Sequence, residues 1–402
     1  MMLKSPLILT PDPPVSLGAA YVVLYFVVSK RRLIVNSLAK PAPRSIRLDP
    51  VWSRQRAVAL PITFMEVELK DKILLAHGSG GKLAHELVEQ CFVKALANPY
   101  LARLDDSAVI DFNGRLAFTT DSYVVKPIFF PGGDIGRLAV CGTVNDLAMS
   151  GAKPLFLSLA FIIEEGLSQN ELDKIVDSVS QAAQEAGVQI ITGDTKVVNR
   201  GSADKLFINT AGVGAIPAGV DISGSNARPG DSVILSGTIG DHGIAVLSQR
   251  EGLSFSTHLE SDCAPLGNLV AEMLNASPNI HCLRDPTRGG LATTLNELAR
   301  QSKVSIKIEE EKIPVREEVL GACEMLGLDP LYVANEGKLV AMVAKEDTDH
   351  VLRVMQENQY GKNAVIIGEV RAEHPGRVVM KTSLGASRIV DMLVGDPLPR
   401  IC

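Results

Sequence analysis

The thiol of Cys402, the last residue of the sequence, is the side chain with the clearest potential for chemistry. Pro397 and Pro399 precede it. Because proline fixes φ and disfavours helix in the residue before it, this segment is predicted to be an extended arm. A thiolate is a strong nucleophile, and a thiol on such an arm can be carried between two sites. The alternative is a frayed terminus with an incidental cysteine.

A glycine-rich segment, His77-Gly78-Ser79-Gly80-Gly81-Lys82, is typical of loops that bind phosphate. Glycines let backbone N–H groups approach phosphate oxygens, and a helix start after them adds a favourable dipole. The segment is not the P-loop motif, because Leu83 follows the lysine. A plain strand-to-helix turn is an equally good interpretation.

Acidic residues recur at predicted strand ends and turns, an arrangement that suits magnesium. Mg²⁺ is usually held by a few carboxylates together with the phosphates of a substrate. Taken singly, each aspartate is more typical of a turn or a helix cap. Asp146 is the exception, because an Asn145-Asp146 pair inside a small and apolar helical segment needs a polar partner. The other members are Asp105, Asp106, Asp121, Asp194 and Asp285.

The segment Asp285-Pro286-Thr287-Arg288-Gly289-Gly290-Leu291 predicts a loop for an anion or a metal–nucleotide complex. Thr287 can cap the following helix, Arg288 can contact an anion, and the glycines permit close approach of the backbone. A capped helix start without a ligand is the alternative.

Lys196 and Glu336 are candidate groups for proton transfer. Lys196 follows Gly193-Asp194-Thr195, which is predicted to be a turn. Glu336 lies in the turn-like sequence Ala334-Asn335-Glu336-Gly337-Lys338. Catalytic groups concentrate in such contexts. From spacing alone, a solvated surface charge is the simpler interpretation of either residue.

The elements that must position these residues are short β-like runs alternating with amphipathic helical segments from Met65 onward, which indicates an α+β or α/β protein. The clearest helix is predicted at Ser168–Ala186, where Ser168-x-x-Glu171 is a capping box and Gly187 ends the helix. Further helices are predicted at Ile135–Ser150, Gly243–Gln249, Leu266–Ala276 and Leu291–Gln301. A cluster of Gly, Ser, Asn, Arg and Pro at 218–230 predicts a domain boundary.

Charge and cysteine content exclude several classes of protein. The chain has 402 residues, 40 of them basic and 46 acidic, for a net charge of −6. No dense basic run follows residue 32, which argues against a nucleic-acid partner. The six cysteines include no C-x-x-C pair and the seven histidines no H-E-x-x-H motif, which argues against a zinc site and a disulfide framework. A reducing cytoplasm is therefore the expected location.

Residues 1–64 differ in character from the rest of the chain. An apolar run at 15–28 precedes Lys30-Arg31-Arg32. At about 14 residues, it is shorter than the roughly 20 needed to span a bilayer, so we expect no membrane association through a span. The pattern of a signal peptide is absent. An interfacial anchor is one interpretation. We favour another, in which 1–64 are an upstream extension, untranslated or disordered, and the working protein starts near Met65.

In their order along the chain, these motifs resemble the ATP-dependent superfamily that includes aminoimidazole ribonucleotide synthetase and selenophosphate synthetase. Within it, the similarity is greatest to the hydrogenase-maturation carbamoyl dehydratases, the HypE type. The resemblance covers residues 70–402 and leaves residues 1–64 without a counterpart. It rests on HGSGG (77–81), DDSAV (105–109), TTDS (119–122), VNDLAMSGAKP (144–154), ITGDTKVV (191–198), DPTRGGL (285–291), NEGK (335–338) and PRIC (399–402).

The resemblance implies a two-domain fold with ATP in the cleft between the domains. Residues 65–220 would form an N-terminal α+β domain that builds a β-barrel-like interface in a homodimer, and residues 228–390 a C-terminal α/β domain. Residues 391–402 would be a flexible tail. The implied Mg²⁺ ligands are Asp106, Asp146 and Asp285, and the implied groups near the phosphates are Gly80, Gly81, Lys82, Asp121, Asn145 and Asp194.

The resemblance also implies a reaction at Cys402. A partner carbamoyltransferase of the HypF type would place a carbamoyl group on the sulfur. Transfer of the ATP γ-phosphoryl group to the carbamoyl oxygen would make that oxygen a good leaving group. Glu336 would act as general base, Lys196 would orient it or polarise the amide, and a thiocyanate would result. The cyanide would pass to an iron-centre scaffold of the HypC–HypD type.

Two alternatives stay open at this point. One is another synthetase of the superfamily, selenophosphate-forming or amidine-forming. A selenophosphate synthetase would be expected to carry a reactive cysteine or selenocysteine in the N-terminal loop, where this chain has Ser79. The other is a non-enzymatic nucleotide-binding assembly factor that uses Cys402 only to dock or to ligate a metal.

Overall fold

In a computed structural model of the chain, the described residues are 24–29, 32–37, 72–78, 82–103, 108, 110–252, 259–393 and 401. By themselves, β1 (Leu24–Ser29) and β2 (Arg32–Ser37) form an antiparallel pair. The rest of the expected extension lies outside the described residues. No helix within these ranges combines the length and the apolar character needed to cross a membrane.

The other elements belong to a second compact unit, which starts with short helical segments. A 3₁₀ turn at Leu75–Gly78 precedes α1 (Lys82–Leu87), and the chain continues as a π-helical segment at Val88–Val93. The Phe92 ring stacks on Phe161 with ring centroids 5.1 Å apart, which fixes this segment to the sheet that follows.

The strands of the N-terminal half are β3 (Arg115–Tyr123), β4 (Phe129–Phe130), β5 (Gly133–Asp134), β6 (Lys153–Glu164), β7 (Gln189–Val198) and β8 (Leu206–Ile216). Among the described residues, four of them form a sheet in the order β3-β8-β6-β7, with β6 and β7 parallel and the other neighbours antiparallel. Burial alternates along β8, so one face of the sheet is covered and the other is open. No described strand closes this sheet into a barrel.

Two helices lie on the covered side of this sheet, α2 (Ile135–Met149) and α3 (Gln169–Ala186). Small residues let α2 pack closely on β3 and β8, and α3 packs against α2. The capping box at Ser168 is confirmed: Ser168 Oγ accepts from the Glu171 N–H at 3.2 Å and donates to Glu171 Oε2 at 2.9 Å. Gly187 ends the helix at φ +70°, where glycine is favoured.

The turn predicted at Gly193-Asp194-Thr195 is wrong. These residues continue β7, and they pair with Leu159–Phe161 of β6. A Cβ atom at position 193 would collide with the Leu159 carbonyl oxygen, so the glycine serves close approach of two parallel strands. Asp194 and Lys196 therefore lie on an edge strand.

The strands of the C-terminal half are β9 (Ser232–Leu235), β10 (Ile280–Arg284), β11 (Ser305–Glu309), β12 (Val340–Val343), β13 (Val365–Arg371), β14 (Val378–Lys381) and β15 (Ser387–Val390). They form a sheet in the order β10-β12-β9-β13-β11-β14-β15, in which β11 and β14 are parallel and the other pairs antiparallel. Every residue of β9 and β12 is buried, because apolar clusters cover both faces at these central strands.

The helices of the C-terminal half agree with the sequence patterns to within two residues where helices were predicted, at 243–249, 266–276 and 291–301. α2 contacts the helix Gly267–Ala276 and strand β10, and so joins the two halves. Sheets with packed helices in both halves confirm the mixed α/β class, while the limits 65–220 and 228–390 stay predictions. The helices are α4 (Asp241–Glu251), α5 (Gly267–Ala276), α6 (Gly290–Ser302), α7 (Glu317–Leu326) and α8 (Thr348–Glu357). Further 3₁₀ turns lie at Leu101–Arg103, Glu310–Lys312, Pro330–Tyr332 and Lys345–Asp347.

Candidate active site

Three of the predicted acidic residues converge where α2 meets β3 and the end of β10. Asp146, in the last turn of α2, accepts a hydrogen bond from Thr119 Oγ1 at 2.9 Å. Asp121 lies two residues after Thr119 on β3, and alternate residues of a strand share a face. Asp285 follows β10 directly. The fold thus brings Asp285 to Asp121 and Asp146, which precede it by more than a hundred residues.

These carboxylates influence one another's ionisation. Burial, followed by the negative charge of Asp146, raises the pKa of Asp285 to about 7. Burial also raises the pKa of Asp146, although the hydrogen bond from Thr119 opposes the shift. Arg284 favours the ionised form of both, but its guanidinium is already paired with Glu297 at 2.6 Å. The cluster therefore holds more negative than positive charge.

Glu336 is the fourth carboxylate of the cluster and is only 3% exposed. Its backbone N–H donates to Asp262 Oδ1 at 3.1 Å, and its carbonyl oxygen accepts from Asn145 Nδ2 at 3.3 Å. Its side-chain Oε1 is buried and has no hydrogen-bond partner among the described residues. Burial and then the charge of Asp285 raise the pKa of Glu336 well above its ordinary value. A carboxylate with a raised pKa is a stronger base, so this setting suits proton abstraction.

The amide of Asn145 joins α2 to the loop before α5. Its nitrogen donates to the Ala264 carbonyl at 3.0 Å, and its oxygen accepts from the Leu266 N–H at 2.8 Å. Together with the contact to Glu336, these bonds use both polar ends of a side chain that is 1% exposed. Asn145 therefore positions the loop that carries Glu336, and its contact with phosphate stays a prediction.

Asp194 and Lys196 lie apart from this cluster in the structure. Both side chains are exposed on the edge strand β7. The charges that act most strongly on Glu336 are those of four aspartates, and the Lys196 charge is not among them. The described part of one chain does not bring Lys196 to Glu336, so the predicted pairing of these two residues stays a prediction.

Several predicted site residues lie outside the described part of the chain. Lys82 is the first residue of α1, but its side chain is not among the described atoms. The others that fall outside are Gly80, Gly81, Asp106 and Cys402. Their predicted roles, in phosphate contact, Mg²⁺ binding and carriage of the carbamoyl group, stay predictions.

A buried ion pair beside Glu336 was missed in the sequence. Lys338 Nζ lies 3.1 Å from Asp262 Oδ2, and both side chains are largely buried. Burial acts to raise the pKa of Asp262, but the charges of Lys338 and His242 and the hydrogen bond from the Glu336 N–H together outweigh burial, so the pKa lies below its ordinary value. A Cβ atom at Gly337 would collide with the Asp262 carbonyl, which explains the glycine of the NEGK motif. The motif signalled Lys338, whereas nothing in the sequence signalled Asp262.

Ile401 lies in this region, next to a histidine that the sequence also did not signal. The Ile401 side chain is 3% exposed and belongs to the apolar core of the N-terminal half. Its carbonyl oxygen accepts from His242 Nε2 at 3.0 Å. Burial lowers the pKa of His242, and the nearby charge of Asp262 opposes this shift. Because Asp262 also binds the Glu336 backbone, the end of the chain is connected to the carboxylate cluster.

The cluster suits a divalent cation that shares its ligands with a nucleotide. Within the described ranges, no three His, Cys, Asp or Glu side chains are arranged to hold a metal ion unaided. The unpaired Oε1 of Glu336 and the raised pKa values of Asp146 and Asp285 nevertheless indicate that the described side chains supply too little positive charge to this cluster. Mg²⁺ commonly takes one or two carboxylates and completes its shell with phosphate and water. Asp146 and Asp285 are placed for that role.

Comparison with domain families defines the class of protein. The family described as "AIR synthase related protein, N-terminal domain" matches residues 104–216. The family described as "AIR synthase related protein, C-terminal domain" matches residues 228–381. The chain is therefore an AIR synthase-related protein with both domains of that class.

Comparison with whole proteins defines a narrower family. Carbamoyl dehydratase HypE of Azotobacter vinelandii is 54% identical over 329 residues, which are 82% of this chain and 96% of that protein. A crystal structure of hydrogenase maturation protein HypE in complex with ATP matches with a TM-score of 0.80 and 51% identity, covering 82% of this chain and 99% of the other. A crystal structure of a HypE–HypF complex matches with a TM-score of 0.68 and 52% identity, covering 76% and 99%. The chain belongs to the HypE family of carbamoyl dehydratases, which confirms the resemblance drawn from the motifs.

Glu336→Gln is expected to flatten the pH dependence of stability in the nucleotide-free protein. A raised pKa means that the folded state binds the proton more tightly than the unfolded chain, so stability falls as the pH rises above the ordinary carboxyl range. The glutamine amide does not ionise and escapes this loss. Urea unfolding between about pH 5 and about pH 8 should show a smaller decline in the free energy of unfolding for the variant than for the wild type.

The matched control is Glu324→Gln, which changes an exposed carboxyl on α7. Its curve of unfolding free energy against pH should run parallel to that of the wild type. If Glu336→Gln also ran parallel, the Glu336 carboxyl would not be strained by burial and negative charge.

Proposed function

We propose that this chain is an ATP-dependent carbamoyl dehydratase of hydrogenase maturation whose substrate is a carbamoyl group on its own Cys402. The observation that carries this proposal is the position of Ile401. Its carbonyl is bound by the buried His242, and the charge of Asp262 links that histidine to Glu336. Cys402 is the next residue, so the thiol lies one residue from a point attached to the carboxylate cluster.

The reaction converts an S-carbamoyl group and ATP into a thiocyanate, ADP and phosphate. The carbamoyl oxygen attacks the γ-phosphorus of ATP, and the bond from that phosphorus to the β,γ-bridging oxygen breaks to release ADP. The carbon–oxygen bond then breaks, and the oxygen leaves with the phosphate. The nitrogen loses two protons, and its electron pairs complete the C≡N bond. No free water forms, because the oxygen leaves in the phosphate and the two hydrogens leave as protons.

Glu336 is the base in this scheme. Bound Mg²⁺ would favour the ionised form of the cluster, in which the open Oε1 of Glu336 can accept a proton from the carbamoyl nitrogen. The neighbouring aspartates, which raise the pKa of Glu336, make that carboxylate a stronger base. The ion pair of Lys338 with Asp262 fixes the backbone on which Glu336 lies. Lys196 keeps the predicted role of orienting the base or polarising the amide.

ATP binds in the cleft that the carboxylate cluster lines. The relative whose crystal structure contains ATP supports this assignment. Asp146 and Asp285 would hold Mg²⁺ together with Asp106. Asp121 would lie near the phosphates with Gly80, Gly81 and Lys82 of the N-terminal loop. The phosphate contact of Asp194, which lies on β7 apart from the cluster, stays a prediction. When bound, Mg²⁺ supplies positive charge that stabilises the phosphoryl oxygens during transfer.

Two protein partners follow from the chemistry. A carbamoyl group must be delivered to the thiol, and the HypE–HypF complex among the relatives supports a HypF-type carbamoyltransferase as the donor. The cyanide must be passed on, and an iron-centre scaffold of the HypC–HypD type is the acceptor.

The open face of the N-terminal sheet is the surface for a homodimer. Leu116 and Phe118 of β3 are 45% and 72% exposed, and Ile162 of β6 is 43% exposed. The alternation of buried and exposed residues in β3 and β6 places all three on the face away from α2. A second copy that covers this face would bury them and would pair two open sheets into a barrel-like interface.

Cys402→Ala is expected to abolish the reaction and to leave ATP binding intact, because the thiol carries the substrate and holds no nucleotide. The protein is incubated with carbamoyl phosphate, ATP, Mg²⁺ and the carbamoyltransferase. It is then cleaved before aspartate, which isolates the peptide Asp396–Cys402. Mass spectrometry should show the gain of one carbamoyl group, followed by the loss of one water when ATP is present.

The control omits ATP and should stop at the carbamoyl adduct. An Asp396–Cys402 peptide that stays unmodified in the wild type, or cyanide formation that survives Cys402→Ala, would refute the proposed function.

Phe118→Glu is expected to shift the protein from dimer to monomer, because a charge would be buried at the centre of the apolar face. Sedimentation velocity measures the change. The control is Leu384→Glu, which places the same charge at a leucine that is 95% exposed and lies away from the sheet. A dimer that persists in Phe118→Glu would exclude this face as the interface.

A further inference from the structure

His242 is a buried histidine that the proposed chemistry does not use. It lies in the first turn of α4, is 0% exposed, and meets the Phe130 ring edge-on with centroids 5.4 Å apart. A histidine held this tightly between the two halves of the chain has little freedom to rotate. Both of its ring nitrogens nevertheless have polar partners.

The hydrogen bonds around the ring select one tautomer. Nε2 lies 3.0 Å from the Ile401 carbonyl oxygen, which can only accept, so Nε2 carries the hydrogen. Nδ1 lies 2.8 Å from Ser261 Oγ, and that oxygen already accepts from the Cys263 N–H at 3.1 Å. The Ser261 hydroxyl hydrogen is therefore free to point at Nδ1. Each group in this chain of hydrogen bonds therefore donates to the next: the Cys263 N–H to Ser261, the Ser261 hydroxyl to His242, and His242 to the Ile401 carbonyl.

Ile401 is attached at two points that differ in chemistry. Its side chain packs into the apolar core of the N-terminal half, and this burial stabilises the contact without fixing the orientation of the backbone. Its carbonyl bond to His242 is directional and comes from an element of the C-terminal half. Apolar packing alone would let the backbone rotate about this contact. The added hydrogen bond fixes the direction in which the backbone leaves Ile401 toward Cys402.

We infer that His242 is a positioning residue, which fixes the backbone at Ile401 by donating to its carbonyl and so sets the point from which Cys402 would reach Glu336. This inference rests on the proposed function, in which Cys402 carries the substrate. Ser261 contributes to the same positioning, because its hydrogen bond to Nδ1 favours the His242 tautomer in which Nε2 donates. Asp262 connects Ile401 to the base, because its charge acts on His242 and its carboxylate accepts a hydrogen bond from the Glu336 N–H.

The test compares His242→Phe with His242→Gln. Phenylalanine keeps a ring of similar size and leaves the carbonyl without a donor, whereas glutamine can present an amide N–H near the position of Nε2. The first readout is alkylation of Cys402 by iodoacetamide in the native protein, followed on the peptide Asp396–Cys402. The second is the single-turnover rate of water loss from pre-carbamoylated protein, with the KM for ATP measured alongside.

His242→Phe is expected to speed alkylation of Cys402 and slow water loss, each by about tenfold, as the loss of one buried hydrogen bond implies. The KM for ATP should stay within about twofold, because His242 does not line the carboxylate cluster. His242→Gln should recover most of both effects. A merely structural role would not produce opposite changes in these two rates, nor rescue by an amide donor.

The matched control is Ser248→Ala, on the same helix. Ser248 is buried, and its hydroxyl donates to the Ala245 carbonyl within α4. This variant should behave as wild type in both rates. If His242→Phe fails to fold, Ser261→Ala replaces it, and a severalfold increase in alkylation supports the inference.

Wild-type rates in His242→Phe, or in Ser261→Ala where that variant is needed, would overturn the role of His242. A separate result tests the proposed function: if the wild-type peptide never takes up a carbamoyl group, that function fails. The alkylation comparison still reports whether His242 holds the arm, so the two failures can be told apart.

Discussion

The scarcity of positive charge among the described residues around four carboxylates, Glu336 buried and the other three partly buried, is the constraint on which the rest of the structure depends. Asp121, Asp146, Asp285 and Glu336 come from four elements, and Arg284 nearby is already paired with Glu297. Burying like charges together costs free energy, which folding tolerates where a cation or a proton completes the site in function. The apolar packing of α2 against both halves is what makes this arrangement possible.

Hydrogen bonds and an ion pair around the cluster each fix one segment of the backbone frame that surrounds it. Asn145 ties the last turn of α2 to the loop before α5. Asp262 holds the Glu336 backbone, and Lys338 neutralises Asp262. His242 extends the frame to the end of the chain. Asn145 and His242 are hydrogen-bonded at all their side-chain polar atoms, and Asp262 Oδ2 is ion-paired with Lys338. Among the described residues Glu336 Oε1 has neither a hydrogen bond nor an ion pair, so a rigid frame surrounds one group that is left available.

Local signals in the sequence were reliable wherever short-range physics decides the structure. The capping box at Ser168 and the glycine at 187 predicted α3 to within one residue. The NEGK and DPTRGGL motifs pointed to Glu336 and Asp285, because a charged residue close to glycines in a turn-like segment can be recognised from the local sequence alone. The family followed from the order of such motifs.

What depended on contacts distant in sequence was not predictable. Gly193 looked like a turn former, but the approach of Leu159 from the neighbouring strand requires the glycine. No local sequence pattern identifies Asp262 or His242, because their contacts form only when folding brings α4 and the NEGK loop together. Lys196 shows the converse: a motif marked it, and the described fold leaves it exposed on an edge strand.

Calorimetry of Mg·ATP binding tests the central claim, that the cluster holds protons until a cation replaces them. The titration is run near neutral pH in buffers that differ in ionisation enthalpy, with Mg²⁺ in excess and ATP fully ionised. Because a bound cation favours the ionised carboxylates, we predict a net release of protons to the buffer, seen as a binding enthalpy that changes linearly with the buffer's ionisation enthalpy. An enthalpy independent of the buffer would contradict the claim.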